Sequence, residues 1–189
     1  GPVVLKKKTA NTVQPSIEKE LWIKQGKQQI YGVLSTPDNG EKRHPIVIVS
    51  HGFNGTHHSG RNYFKMLNEL GYMCYTFDFP CGGTGSRTDN NTVNMSVLDE
   101  QKALEAIVRY FKSRPDVDKK NIVLLGGSQG GLISALTAAK MQKDISKLVL
   151  EFPALCIPDN WNSRYPQVSD IPDTTRIWRV PIGRRFFTE

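Results

Sequence analysis

Ser128 stands among four glycines, in Gly126-Gly127-Ser128-Gln129-Gly130-Gly131. A serine flanked at −2 and +2 by glycine can act as a nucleophile when a strand leads into it and a helix leads away. Turning from strand to helix within a few residues strains the central residue and leaves no room for side chains beside it. The flanks fit that context. Ile122 to Leu125 are apolar, and Leu132, Ile133, Leu136 and Ala139 recur at helical spacing. The turn would lift the Ser128 hydroxyl above a strand end, at a helix N-terminus whose dipole favours developing negative charge. Gly126 and Gly130 are the glycines such an elbow requires. A serine nucleophile also needs donors for the oxyanion of its tetrahedral intermediate. The expected donors are the backbone N–H of Gln129, next after the serine, and that of Phe53, in the His51-Gly52-Phe53 loop.

The base is harder to find. The chain has four histidines, His44, His51, His57 and His58, and all precede Ser128. His44 belongs near the opposite end of its strand, and His51 is expected to pack beneath the oxyanion loop. His57 and His58 lie near that loop, where exposed histidines are ordinarily just solvated. Where the order runs serine, acid, histidine, the partners should follow Ser128. Asp159, Asp170 and Asp173 do follow; no histidine does.

These residues have to be positioned by the surrounding elements. Glu18 to Ile23 and Gln29 to Leu34 alternate apolar with polar residues across a break at Gly26, which predicts an antiparallel edge hairpin. Pro45 to Ser50 reads as a strand buried on both faces, and Tyr72 to Phe79, Ile122 to Leu125 and the run KLVLEF from Lys147 as further strands. Tyr63, Phe64, Leu67 and Leu70 predict a helix that Gly71 ends. Val97 to Phe111 is strongly amphipathic, with Leu104, Ile107, Val108 and Phe111 at i, i+3, i+4 and i+7. Strands alternating with helices give an α/β class: a doubly wound, mostly parallel sheet with an antiparallel N-terminal edge hairpin. The loops at His51 to Phe53, Pro80 to Ser86 and Gly127 to Gln129 leave the C-terminal strand ends, where such sheets bind ligands. From Ala154 onward Pro158, Pro166, Pro172 and Pro181 exclude long regular elements, while Trp161, Tyr165 and Trp178 argue against disorder.

Bulk properties exclude several classes. At 189 residues the chain holds one sizeable core, and its 38% hydrophobic and 23% charged content are ordinary for a globular domain. The net charge of +7 is dispersed apart from Lys6-Lys7-Lys8 and Arg184-Arg185, so no nucleic-acid footprint emerges. Three cysteines, Cys74, Cys81 and Cys156, lack disulfide or zinc spacing, so neither a disulfide framework nor a structural zinc site is expected. No segment is long and apolar enough to span a membrane. The compartment is left open, between cytoplasmic and exported with a signal peptide removed.

HGFNG, FDFPCGGTGS, LLGGSQGGL and LVLEFPA, in that order, resemble the α/β-hydrolase superfamily and are most similar to its cinnamoyl/feruloyl esterases. The run DIPDTTRIWRVPIGRRFF resembles the start of the insertion that caps the active site in those enzymes. The resemblance implies a nucleophile at Ser128, oxyanion donors at Phe53 and Gln129, and no cofactor. It implies a carboxylic-ester hydrolase acting through an acyl-enzyme, on hydroxycinnamoyl esters such as feruloyl sugar of the plant cell wall. The chain departs from the family in having Gly127, not histidine, before the nucleophile. It also ends before the strands that carry the family's Asp and His. The expected organisation is a loose leader over 1–17, the N-terminal part of the hydrolase core over 18–153, and the start of a cap over 154–189. The last core strands are then missing, and the chain is the N-terminal portion of a longer enzyme. The alternatives are another serine hydrolase of the same fold, an acylglycerol lipase or peptidase, or a non-catalytic remnant used as a binding module. The partner expected is a small-molecule ester; a homodimer is compatible with the sequence, and nucleic acid and membrane are not expected.

Overall fold

The structure is a computed structural model that describes residues 16–154 and 157–189. Most of the expected leader and Cys156 lie outside the described residues. Ser16 and Ile17, expected in the leader, already belong to the first strand.

The hairpin pairs β1 (Ser16–Gln25) with β2 (Gln28–Pro37) in antiparallel register, Trp22 opposite Tyr31 and Ile23 opposite Ile30. Both strands outrun the alternating stretches because backbone pairing continues beyond the alternating pattern, from Ser16 opposite Pro37 to Gln25 opposite Gln28. β3 (His44–Ser50), β4 (Met73–Phe77), β5 (Val117–Ser128) and β6 (Lys147–Pro153) follow. They assemble with the hairpin into a six-stranded sheet of order β1-β2-β4-β3-β5-β6. β2 runs antiparallel to β4, and β4, β3, β5 and β6 are mutually parallel. The expected parallel sheet with an antiparallel N-terminal edge is what forms.

Alternation along the central strands sends side chains to opposite faces. Ile46, Ile48, Tyr75, Ile122 and Leu124 face α2 (Val97–Ser113) and α3 (Gln129–Lys140), with Leu104, Ile107, Phe111 and Ile133 filling the core between. Val47, Val49, Cys74, Val123 and Leu125 face the other way, against Phe64 and Leu67 of α1 (Phe64–Glu69). α1 is shorter than the spacing predicts because its first turns, His57–Tyr63, form a 3₁₀ helix capped by Thr56.

After β6 the chain forms only short elements, as the prolines dictate. These are α4 (Ile157–Arg164), a 3₁₀ turn at Val168–Asp170, a hairpin of β7 (Thr174–Ile177) and β8 (Val180–Gly183), and α5 (Arg185–Thr188). They dock on the core through a separate cluster of Met95, Val180, Ile182 and Phe186, against which Phe53 and Trp161 pack. Thr92 Oγ1 donates to the Pro181 carbonyl at 2.6 Å and fixes that contact.

Candidate active site

Ser128 is the last residue of β5 and the cap of α3, at φ 53° and ψ −124°. A residue with a Cβ is strained there, at a cost on the order of 1–3 kcal/mol that the surrounding fold must hold in place. Close backbone packing explains the flanking glycines. A Cβ on Gly126 would lie 2.2 Å from the Gly130 carbonyl oxygen, and one on Gly130 would lie 2.2 Å from that of Ser50. The Ala154 N–H donates to the Ser128 carbonyl at 2.8 Å, tying the elbow to the end of β6.

Gln129 begins α3, where first-turn amides have no partner within the helix. Its side chain points inward: Nε2 donates to Glu100 Oε1 at 2.8 Å and lies 3.7 Å from Met95 Sδ. Glu100 is fully buried, and loss of hydration pushes its carboxyl up to about 8, against the opposing pull of the Gln129 hydrogen bond. Its Oε2 has no partner among the described residues. At neutral pH it is a protonated acid behind the elbow.

The second expected donor is set by His51. This ring is buried; its Nε2 accepts the Phe79 N–H at 3.0 Å, which places the proton on Nδ1, and Nδ1 donates to the Gly52 carbonyl at 2.7 Å. Burial lowers its pKa and keeps it neutral. The same carbonyl accepts from the Gly55 N–H at 3.0 Å. In a trans peptide the C=O and the following N–H point in opposite directions, so pinning the Gly52 carbonyl also fixes the direction of the Phe53 N–H. A Cβ on Gly52 would lie 3.2 Å from that of Ser128, which shows how closely this loop passes the elbow.

His57 corrects the sequence reading, for it is buried rather than solvated. Its backbone N–H and its Nδ1 both bond Asp78 Oδ1, at 2.6 and 2.8 Å, and the Arg87 N–H donates to Oδ2 at 2.9 Å. Asp78, fully buried at the end of β4, thus clamps the loops after β3 and β4 together. A carboxylate directly after the largely apolar run of β4 singles out Asp78 in the sequence but does not name its partner. His58 is exposed, and His44 is buried at the start of β3. No side chain hydrogen-bonds the Ser128 hydroxyl among the described residues.

Two cavities meet at Ser128. One of about 570 Å³ lies along the C-terminal ends of β3, β5 and β6, bounded by His51, Gly52, Tyr63, Glu151 and Phe152. The Tyr63 hydroxyl donates to Glu151 Oε2, and that bond above all pushes the phenol up to about 12. The other, of about 410 Å³, opens between Phe53, Gln129 and the segment after β6, with Trp161, Trp178 and Phe186 in its walls. Phe53 packs edge-on against Trp178 and Phe186, at 5.7 and 5.8 Å between ring centroids. Among the described residues, no group of three or more His, Cys, Asp or Glu could hold a metal ion. No helix there is long and apolar enough to cross a membrane.

This geometry can be set beside known proteins. The family described as alpha/beta hydrolase fold matches residues 45–182. A Mycoplasma pneumoniae protein that bears the name esterase/lipase 2 is 30% identical over 112 residues, 59% of this chain and 38% of that protein. The proline iminopeptidase PfmaB of Pestalotiopsis fici is 31% identical over 115 residues, 59% of this chain and 37% of its own length. The chain therefore spans well under half of the curated relatives it matches. Est1E of Butyrivibrio proteoclasticus, solved with ferulic acid bound, superposes with a TM-score of 0.77 over 89% of this chain and 69% of its own, at 23% identity. At that identity the likeness concerns the fold.

Proposed function

The chain belongs to the α/β-hydrolase family, and from that premise we propose that it is the Ser128-bearing part of a carboxylic-ester hydrolase. The observation that carries the reading is the left-handed backbone of Ser128 at the head of α3, between the Gln129 amide and the pinned Phe53 amide. In this reading Ser128 Oγ attacks the ester carbonyl, and the two N–H groups take the oxyanion. The alcohol then leaves, and water releases the acid from the acyl-enzyme. The donors are worth on the order of 3 kcal/mol each to the transition state. His51 serves as a strut, with both ring nitrogens engaged. The base and its acid partner then come from the part of the fold beyond β6, as in the family the motifs resemble.

The acyl group we favour is a hydroxycinnamate. The aromatic walls of the smaller cavity support that choice, since flat rings pack edge-on against such surfaces. So does the likeness to a protein solved with ferulic acid. The segment after β6 acts as the cap that holds this group. A non-catalytic reading has one observation in its favour, the lack of a side-chain partner on the Ser128 hydroxyl among the described residues.

Hydrolysis of methyl ferulate, p-nitrophenyl butyrate and an aminoacyl amide by the full-length gene product separates these readings. Methyl ferulate is expected to be the best substrate, and Ser128→Ala to lower its turnover by about 10³-fold or more. An unchanged rate in Ser128→Ala would refute the acyl-enzyme, and a best rate on the amide would move the assignment to a peptidase.

A further inference from the structure

The smaller cavity at Ser128 carries charge as well as aromatic surface. Arg164 of α4 and Arg176 of β7 both line it, and none of its lining residues is an Asp or Glu. Two other arginines of this segment, unlike Arg179, are neutralised. Arg184 meets Asp173 at 2.9 Å, and Arg185 meets Asp99 and Glu189 at 2.7 Å each. The two cavity arginines meet no carboxylate among the described residues. Arg164 lies over the rings of Trp161 and Tyr165, 5.9 and 5.6 Å from their centroids, which orients its guanidinium without neutralising it. Arg176 spends one donor on the Arg179 carbonyl at 3.3 Å.

The wall thus offers two solvent-exposed guanidinium groups that meet no carboxylate among the described residues, beside flat aromatic faces, in a cavity that Ser128 shares. A guanidinium fork matches the paired oxygens of a carboxylate or phosphate, a match that a neutral ester does not make. We propose that this cavity selects esters that carry an anionic oxygen group, carboxylate or phosphate, on a flat scaffold, and that Arg164 and Arg176 set the preference. The proposal narrows the ester-hydrolase reading and rests on it for the word ester: among flat aromatic esters, hydroxycinnamates included, those with an added anionic group bind more tightly than their neutral counterparts such as methyl ferulate. The anion preference itself can be read without turnover.

The test is calorimetric binding to the Ser128→Ala protein, which holds the ligand uncleaved. The probes are monomethyl terephthalate, its neutral dimethyl ester, and 4-(methoxycarbonyl)phenyl phosphate. The anionic probes are expected to bind about tenfold more tightly than the dimethyl ester. Raising salt from about 0.05 to 0.5 M should remove most of that advantage. The pair Arg164→Gln/Arg176→Gln should bring all three probes within about twofold of each other, while Arg179→Gln, outside the cavity wall, should leave the preference intact. The better of the two anions names the group. The salt series on the parental side chains keeps the test decisive if the double variant does not fold. Equal binding of charged and neutral probes, no binding of any, or a preference that survives both salt and the double substitution would overturn the proposal. Loss of hydrolysis in the panel above with this preference retained would refute the esterase reading alone.

Discussion

Glu100 is a buried acid with one oxygen accepting from Gln129 and the other without a partner among the described residues. Unfolded, its carboxyl titrates near 4.5; folded, burial holds it near 8. The folded state therefore keeps a proton that the unfolded state sheds between those values. The contribution of this group to stability is fully present below about 4.5, falls as pH rises toward 8, and then levels off. Glu100→Gln keeps an acceptor for the Gln129 side chain and removes the titration. Its melting temperature is expected to match the parent near pH 5 and to exceed it by several degrees at pH 8.5. Thermal melts across that range check it, and a constant difference at all pH values would show that Glu100 does not titrate there. The residue could have been noticed in the sequence, because Glu100, Ala103, Leu104 and Ile107 share one helical stripe and a carboxylate on that stripe must be buried. Ser128 and its glycines were legible because backbone geometry forces their identities. The His57–Asp78 clamp was not, since it joins two loops 21 residues apart and nothing local marks the pairing.

Elements were legible where a repeat had to face two environments. The core strands and α2 follow from period and apolar content, and their ends moved by a few residues because backbone pairing outlasts the pattern. The β7–β8 hairpin was not legible. Its two-residue turn, Trp178-Arg179, has φ of 47° and 67°, the left-handed pair that a tight hairpin ordinarily gives to Asn-Gly. Neither side chain suits that backbone, so local sequence argued for no turn, and tertiary contacts impose it. Phe53 packs on Trp178, and Val180 and Ile182 lock β8 onto Met95. Each such residue stores on the order of 1 kcal/mol of strain. Arg179→Gly is therefore expected to raise the melting temperature by a few degrees without changing ligand binding, because Arg179 does not line the cavity. A lowered melting point would show that the Arg179 side chain supports the hairpin more than its backbone strains it.

At the scale of the whole molecule the two edges of the sheet differ. β1 ends the sheet with charged and polar residues, Glu18, Lys19, Glu20 and Lys24, the usual protection of an edge strand. β6 ends it with an apolar run. Leu148, Val149 and Leu150 are 38, 46 and 37% exposed, and Phe152 is 88% exposed. Successive residues of a strand face opposite sides, so both faces of β6 are partly exposed, unlike its neighbour β5, where Ile122 to Leu125 are buried. Sequence could say only that KLVLEF is a strand; the strand order that leaves it at an edge depends on crossovers between distant segments. A parallel apolar edge of this kind recruits another strand, and for the 189 residues alone the strand at hand is that of a second copy. The isolated chain is expected to self-associate reversibly at concentrations of about 10–100 μM, seen as a concentration-dependent sedimentation coefficient. Val149→Lys with Leu150→Lys puts a charge on each face and should return it to a monomer with its melting temperature within a few degrees of the parent, since neither side chain is in the core. A monomer at every concentration without those substitutions would mean that β6 does not recruit a second copy.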